Sequence, residues 1–382
     1  MLKPPKRIVH VVGARPNYMK IAPLMRKMSQ HSDCWQQVLV HTGQHYDHWL
    51  SQVFFQEFGL PQPDVYLGAG SGSHVEQYAR VLLAFEPVLK EQRPDWVIVV
   101  GDVNSTLACA LCAAQMRIPV AHVEAGLRSF DRSMPEELNR ILTDHLSDLL
   151  FTSEPSGNQN LAREGIPKEK IRFVGNIMID TLVTMLPQTD GGRILNELGL
   201  WSSRDGGAQI ARKSAPALAH YILVTLHRPQ NVDDPTALSE LLAALEEIAQ
   251  DVPVLFPVHP RTRLRIKEKH LPVRPCSTRL LEPLGYLDFL TLMRHAKLVI
   301  TDSGGIQEET TYLGVPCLTV RPNTERPVTI SSGTNLLVER NKVAIVKASR
   351  EALCGGQSQQ LPLPPLWDGR AAERIVEHLE QP

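Results

Sequence analysis

The feature that most constrains the fold of this chain is a repeated alternation of short, almost continuous apolar runs with amphipathic segments. The first half contains the runs RIVHVVG, QQVLVHTG, DWVIVVGD and IPVAHVEAG, and the series restarts with YILVTLH, VPVLFPVH, KLVITDSG and VPCLTVR. Strands that are covered by helices on both faces carry such continuous Val/Ile runs. The pattern therefore predicts an α/β protein with two Rossmann-like, doubly wound domains.

A change of composition separates the two series. Residues 186–219 are rich in Gly, Ser and Pro, which is typical of a connecting segment. We therefore predict an N-terminal domain over residues 1–185, a C-terminal domain over residues 220–366 and a final helix over residues 367–382. That helix has to pack on its own domain or back on the first, and Asp368 is placed as its N-cap.

Composition excludes several classes of partner. Lys plus Arg (40) nearly equal Asp plus Glu (41), so no charge field favours nucleic acid or an anionic membrane surface. No apolar stretch approaches the ~20 residues of a membrane helix, and the N-terminal apolar run is too short for a secretory signal, so we expect a cytoplasmic protein. Cys109 and Cys112 spell CxxC among alanines and leucines, which favours buried helix thiols over a metal or redox site.

Polar residues that directly follow apolar runs mark the sheet edge where ligands bind in this class of fold. In the second half, such a run ends at Thr301 and Asp302. With Ser303 as N-cap, Gly304 and Gly305 fill the first helical turn, where N–H groups lack partners and an anion can approach closely. Because each glycine lowers helix stability by roughly 1 kcal/mol, the pair predicts a diphosphate site.

Further residues could complete that site. Glu309 lies about 9 Å further along the helix axis, a spacing that suits a ribose diol beside a bound diphosphate. His227 and Arg228 follow the apolar run YILVTL, and Arg15 and Lys20 follow the first run, so these cations could hold the diphosphate. A tight strand–helix turn with solvated acids is the alternative interpretation.

Carboxylates near strand ends in the first half form a candidate acid–base set. Asp102 and Glu124 end apolar runs, and Glu136 and Glu137 open a helix after Pro135. Clustered carboxylates shift each other's pKa, which is the arrangement needed for one acid and one base. For Glu137 a helix-terminal role is sufficient, and hydrogen bonding to loop backbone is the alternative for Asp102 and Glu124.

Longer motifs resemble those of the non-hydrolysing UDP-N-acetylglucosamine 2-epimerases over nearly the whole chain. They are GARPNYMKIAPL (13–24), TGQHYD (42–47), GDVNSTLA (101–108), HVEAGLRS (122–129), PEELNRILTDHLSD (135–148), VGNIMIDTL (174–182), VTLHRPQNVD (224–233), FPVHP (256–260), TDSGGIQEE (301–309) and NTERPVTISSGTNLLV (323–338).

The resemblance implies a fold of the glycosyltransferase-B type, an active site in an interdomain cleft, and a homodimer. It implies inversion at C2 of UDP-N-acetylglucosamine to UDP-N-acetylmannosamine, through UDP elimination and re-addition to a 2-acetamidoglucal, without a redox cofactor. Matched by motif, the catalytic residues are Asp102, Glu124, Glu136 and His227. The substrate-binding residues are Arg15, Lys20, Leu284, Phe289, Ser303, Gly304, Gly305, Glu309 and Arg326, and a regulatory region matches Gln44, Arg228 and His259.

Departures from the family motifs lie toward the sugar and leave its decoration open. Asn17 stands where an acid is common, and Val103 and Asn104 replace the usual residues after Gly-Asp. A hydrolysing epimerase, a glycosyltransferase on the same fold and a non-catalytic sugar-nucleotide sensor are the other hypotheses. A transferase does not explain three carboxylates with His227, and a sensor does not need the acids.

Overall fold

The computed structural model describes residues 4–43, 55–202, 217–269, 278–355 and 362–380. The chain forms two compact units. The first comprises Met1–Thr184, Glu325–Val328 and Pro364–Pro382, and the second comprises Met185–Thr324 and Thr329–Leu363. Each unit is an α/β domain built on a parallel sheet, which confirms the predicted fold class.

The first unit contains a seven-stranded sheet in the order β3-β2-β1-β4-β5-β6-β7, and its strands are all parallel. Its strands are β1 (Lys6–Val12), β2 (Trp35–His41), β3 (Val65–Tyr66), β4 (Trp96–Val100), β5 (Val120–Ala125), β6 (Leu149–Thr152) and β7 (Ile171–Phe173). The helices that follow its strands are α1 (Arg15–Ser29), α2 (His74–Gln92), α3 (Asn104–Gln115), α4 (Pro135–Leu146), α5 (Pro155–Arg163) and α6 (Ile177–Met185). The strand order reverses between β1 and β4, the position where ligands bind in doubly wound folds.

Alternate residues of the central strands form the core of this unit. Val9 of β1 and Val97 of β4 belong to one buried cluster with Phe85 of α2 and Ala110 of α3. Because successive strand residues point to opposite faces, the neighbouring Ile8 faces the other side of the sheet, and it is also fully buried. Burial on both faces fixes the register, and the carboxyl ends of β1, β4 and β5 therefore lie side by side.

The second unit contains a six-stranded parallel sheet in the order β12-β11-β10-β13-β14-β15, and a two-stranded antiparallel pair formed by β8 and β9. Its strands are β8 (Trp201–Ser202), β9 (Ala217–Leu218), β10 (Ile222–Thr225), β11 (Val254–Pro257), β12 (Thr278–Leu281), β13 (Leu298–Thr301), β14 (Cys317–Val320) and β15 (Asn335–Val338). Its helices are α7 (Arg193–Glu197), α8 (Pro229–Val232), α9 (Pro235–Ile248), α10 (Pro260–Glu268), α11 (Tyr286–His295), α12 (Gly304–Leu313), α13 (Val328–Ser331) and α14 (Lys342–Cys354). The order again reverses, between β10 and β13.

The final helix, α15 (Ala371–Glu380), belongs to the first unit. The prediction that Asp368 caps it is wrong, because the helix begins at Ala371. The carboxylate of Asp180 accepts the N–H groups of Ala371 (3.0 Å) and Ala372 (2.7 Å) instead. Burial raises the pKa of Asp180 to about 6, although these backbone hydrogen bonds oppose the rise.

Cys109 and Cys112 are both buried in α3, as predicted, and burial raises the pKa of both thiols. Within the described ranges, no group of His, Cys, Asp and Glu side chains is arranged to hold a metal ion. In the same part of the chain, no helix combines the length and apolarity that crossing a membrane requires.

Candidate active site

Asp102 lies in the turn that follows β4 in the first unit. The preceding Gly101 has a φ of +67°, and a Cβ there would lie 2.8 Å from Nζ of Lys20, so this position requires glycine. Asn139 of α4 donates a hydrogen bond to the carbonyl of Asp102 (2.8 Å), and Arg140 forms an ion pair with its carboxylate. The side chain of Asp102 is 29% exposed, so it is both held and accessible.

Neighbouring cations determine the ionisation of Asp102. Burial disfavours its charged form, but the positive charges of Arg140, Lys20 and Arg326 outweigh this effect and hold its pKa below the ordinary value. Asp102 is therefore a carboxylate at neutral pH and can accept a proton.

Glu124 has an unusual backbone conformation at the end of β5. Its φ is +73°, which is uncommon for a residue other than glycine, and the register between β5 and β6 shifts between Val123 and Ala125. The buried carboxylate of Glu124 forms ion pairs with Lys20 and with Arg326. These two cations, rather than loop backbone, hold Glu124, so the alternative interpretation does not apply to it.

Arg326 belongs to the short segment Glu325–Val328, by which the second half of the chain joins the first unit. Its guanidinium contacts Glu124 and the neighbouring Glu325, each at 2.5 Å. Both Glu325 and Arg326 are buried. The structure thus brings together three of the predicted site residues, Lys20, Glu124 and Arg326, and surrounds Asp102 with the same positive charge.

Glu136 and Glu137 occupy different environments at the start of α4. Glu136 is exposed and, among the described residues, takes no part in the ion pairs around Glu124. Glu137 is buried, accepts the N–H groups of Ser129 (2.9 Å) and Phe130 (2.8 Å), and pairs with Arg140 (2.6 Å). The helix-terminal role predicted for Glu137 is therefore incomplete, because this side chain ties the loop after β5 to α4.

In the second unit, α12 begins as predicted. Ser303 is the N-cap, Gly304 and Gly305 form the first turn, and the Ser303 side chain makes no capping hydrogen bond. The Ser303 side chain therefore leaves the first backbone N–H groups of this helix uncapped. Residues 304 and 305 are glycines, so no side chain covers these N–H groups at those two positions. This geometry suits an anion at the positive end of the helix.

Asp302 holds His227 and Arg228, two residues of the loop after β10. Its fully buried carboxylate accepts the N–H groups of His227 (3.1 Å) and Arg228 (3.0 Å), and it pairs with Nδ1 of His227 (3.0 Å). Burial opposes its ionisation, but His227, Asn231 and Arg228 outweigh this effect and lower its pKa. The His227 ring is 52% exposed, and with Nδ1 held, Nε2 is the nitrogen that can meet a ligand.

Acids further along α12 are not solvated. Glu308 and Glu309 are buried, and Glu309 accepts a hydrogen bond from the hydroxyl of Tyr286 (2.7 Å). The alternative of a turn with solvated acids is therefore wrong. Leu284 and Phe289 are both partly buried; Leu284 precedes α11, and Phe289 lies within it.

The remaining predicted residues take several positions. Arg15 is the first residue of α1, and Arg228 donates from Nε to the carbonyl of Asp302 at 3.0 Å. His259 is exposed immediately before α10. Gln44 lies outside the described residues.

Sequence reasoning missed the roles of Arg140 and Asp302. Arg140 lies three residues after Glu137 on the same helix, a spacing that places their side chains on one face and could have identified the pair. Asp302 was visible as a polar residue at a strand end, but its partners come from 71 to 75 residues away in the chain. No local signal indicates that contact.

Comparisons with known proteins give one family. The model of the UDP-N-acetylglucosamine 2-epimerase family matches residues 26–380. The UDP-N-acetylglucosamine 2-epimerase of Methanocaldococcus jannaschii is 40% identical over 96% of each chain. The UDP-2,3-diacetamido-2,3-dideoxy-D-glucuronate 2-epimerase of Pseudomonas aeruginosa is 39% identical over 98% of this chain and 99% of its own. The crystal structure of the M. jannaschii enzyme with UDP-GlcNAc and UDP aligns with a TM-score of 0.86 and 39% identity, over 98% of this chain and 99% of that one.

Proposed function

Because this chain belongs to the UDP-N-acetylglucosamine 2-epimerase family, we propose that it interconverts UDP-N-acetylglucosamine and UDP-N-acetylmannosamine by inversion at C2. The family makes the protein an isomerase that acts on a nucleotide sugar. The observation that carries the proposal for this chain is the pair Asp102 and Glu124, two carboxylates held by Lys20, Arg140 and Arg326 at one sheet edge.

The nucleotide half of the substrate is assigned to the second unit. The start of α12 at Gly304 and Gly305 receives the diphosphate, and His227 donates from Nε2 to the phosphate oxygens as UDP departs. Arg228 adds positive charge beside it. Glu309 binds the ribose diol, since a carboxylate accepts hydrogen bonds from vicinal hydroxyls.

The sugar chemistry needs a base and an acid on opposite faces of C2. One carboxylate removes the C2 proton while the C1–O bond to UDP breaks, which leaves 2-acetamidoglucal and UDP. UDP then re-adds at C1, and a proton is delivered to the other face of C2, so atoms and charges balance over the cycle. Asp102, which the neighbouring cations keep ionised, is the base in one direction, and Glu124 serves the opposite face.

Other assignments in the proposal rest on the family resemblance. Glu136, at the exposed start of α4, is the third carboxylate. Phe289 and the Leu284 backbone hold the uracil ring, and Arg15 contacts the diphosphate. By motif, Gln44, Arg228 and His259 are assigned to regulation of activity by a second substrate molecule.

A decorated sugar is the second candidate substrate. The P. aeruginosa relative, named as an epimerase of a diacetamido glucuronate nucleotide, is 39% identical, against 40% for the M. jannaschii enzyme named for UDP-N-acetylglucosamine. Identity therefore does not separate the two substrates. A direct comparison of both nucleotides as substrates decides between them.

The experiment is incubation of the protein with UDP-N-acetylglucosamine in heavy water. The proposal predicts deuterium at C2 in recovered UDP-N-acetylglucosamine and UDP-N-acetylmannosamine. Free UDP with N-acetylmannosamine would instead indicate the hydrolysing reaction. Absence of C2 exchange with either candidate nucleotide would refute the epimerase and favour transfer or sensing.

We assign a homodimer to the proposal, and exposed apolar side chains on two helices of the first unit support it. Helices α2, α3 and α4 pack in sequence, and Leu83 of α2 (74% exposed) and Leu142 of α4 (49% exposed) leave apolar side chains at the surface. Val75 and Leu138 on the same helices are also exposed. A second copy of the chain would cover this surface. Sedimentation of the wild type as a dimer, and of Leu142→Glu as a monomer, tests the assignment.

A further inference from the structure

His122 and Asp144 form a fully buried pair beside the two candidate carboxylates. His122 lies in β5 and Asp144 lies in α4, and both side chains are 0% exposed. Nδ1 of His122 donates to the Asp144 carboxylate at 2.7 Å. Neither residue takes part in the proton transfers proposed above.

The histidine side of the pair reaches the Asp102 turn. Nε2 of His122 donates a hydrogen bond to the carbonyl of Gly101 at 2.8 Å, and Gly101 directly precedes Asp102. Both ring nitrogens of His122 thus face oxygen acceptors, one in each direction. A shift of the ring would therefore move the turn that carries Asp102.

Asp144, the other member of the pair, contacts the turn that follows Glu124. The Asp144 carboxylate accepts the N–H of Gly126 at 3.0 Å, two residues after Glu124, and it also pairs with Arg128 at 2.7 Å. Burial disfavours the charged form of Asp144, but the charges of His122 and Arg128 outweigh this effect and lower its pKa. The pair therefore joins α4 to the residue before Asp102 and to the turn after Glu124, an arrangement that suits a role in fixing their geometry.

We infer that His122 and Asp144 are positioning residues that fix the separation of Asp102 and Glu124. The inference rests on the proposed function and adds a consequence to it. Elimination of UDP requires one well-placed carboxylate, whereas completed inversion requires both before the intermediate escapes. A misplacement of about 1 Å can lower a rate by ~100-fold. Loss of the His122–Asp144 pair should therefore slow the completion of inversion, so that UDP and the glycal are released before UDP re-adds.

Two substitutions separate the contact of His122 with the Gly101 carbonyl from its contact with Asp144. In His122→Gln, the side-chain amide lies near the place of Nε2 and keeps a donor for the Gly101 carbonyl. In His122→Asn, the amide lies near the place of Nδ1 and keeps a donor for Asp144. Both should lower kcat roughly 10- to 100-fold and increase the free UDP released per molecule of epimer formed. UDP affinity should stay unchanged, because the nucleotide contacts are assigned to the second unit.

His10 offers a matched control. It is also a fully buried histidine, on β1 of the same sheet, which β4 separates from β5, and its Nε2 bonds to Gln37 at 3.0 Å. His10→Gln should change thermal stability but leave the ratio of free UDP to epimer at the wild-type value. A raised ratio in this variant as well would assign the effect to general loosening of the core and overturn the inference.

Each remaining outcome also decides the inference. A His122 variant that folds, binds UDP and shows the wild-type kcat and UDP ratio overturns it. If both His122 variants fail to fold, Asp144→Asn replaces them, because asparagine keeps an acceptor for the Gly126 N–H, and a normal ratio in that variant overturns the inference equally. Failure of the proposed function is separate, since it appears as a lack of C2 exchange in the wild type.

Discussion

The guanidinium of Arg326 binds the carboxylate of Glu124 at 2.5 Å, although 202 residues separate them in the chain. Lys20, on the first helix, binds the same carboxylate. Glu124 is therefore held by cations from opposite ends of the sequence, inside one unit. This relationship makes the electrostatics of Glu124 depend on residues from two motifs that lie far apart in the sequence.

Removal of the cations around Asp102 should move the pH dependence of the reaction. Arg140, Lys20 and Arg326 all lower the pKa of Asp102, and among them Arg140 has the largest effect. Arg140→Gln should therefore shift the acidic limb of the kcat/KM profile to higher pH, and Arg326→Gln should shift it by less. Arg140→Lys, which keeps the charge, is the control. An acidic limb that stays in place in Arg140→Gln would show that Asp102 is not the group that titrates.

Glu309 should contribute to nucleotide affinity. Loss of hydrogen bonds to a carboxylate removes roughly 1.5–3 kcal/mol, so Glu309→Gln should weaken UDP binding about tenfold or more in calorimetry. Glu308→Gln, a substitution of the adjacent buried acid, is the matched control for general damage to α12. Equal affinities for Glu309→Gln and the wild type would remove the ribose role.

Asp302 should stabilise the second unit in a pH-dependent way. Its pKa is lowered in the folded protein, so its contribution is present above the unfolded value of about 3.9 and disappears as pH falls through the lower folded value. The free energy of unfolding of Asp302→Asn should lie below that of the wild type at pH 7, and the difference should shrink below pH 4. A difference that is constant with pH would contradict the assignment.

Asp180 should have the opposite pH dependence. Its pKa is raised to about 6, so its contribution to stability is complete below the unfolded value of about 3.9 and is lost as pH rises through 6. Asp180→Asn should therefore remove a decline in thermal stability between about pH 4 and 6. The Asp180 carboxylate accepts hydrogen bonds from the N–H groups of Ala371 and Ala372. Hydrogen exchange of these two amides therefore locates the effect at α15.

Local features of the structure could be predicted from the sequence, whereas the ion-pair partners of Asp102 and Glu124 could not. The start of α12 could be predicted from Ser303, Gly304 and Gly305, because these residues directly follow the apolar run of β13, and Ser303 is the N-cap even though its side chain makes no capping hydrogen bond. The placement of Asp102 and Glu124 at strand ends follows from the apolar runs before them. Their cations do not follow, because the Arg326 contact depends on how a distant segment returns to the first unit.

The prediction that Asp368 caps α15 failed for the same physical reason. Asp368 has the spacing of an N-cap, but Asp180 from α6 supplies the acceptor in three dimensions. Likewise, Glu137 fits a helix-terminal acid by position, yet its burial and its contacts with Ser129 and Phe130 arise from the loop after β5. Tertiary contacts override these local preferences.

The Asp102→Asn variant tests whether Asp102 is the base, when C2 exchange of UDP-N-acetylglucosamine in heavy water is assayed together with UDP binding by calorimetry. Asparagine keeps the shape of the side chain but cannot accept the C2 proton. We expect UDP affinity to be retained and deuterium incorporation to fall by at least ~100-fold, within the range that a general base contributes. Exchange at the wild-type rate in this variant would show that Asp102 is not the base.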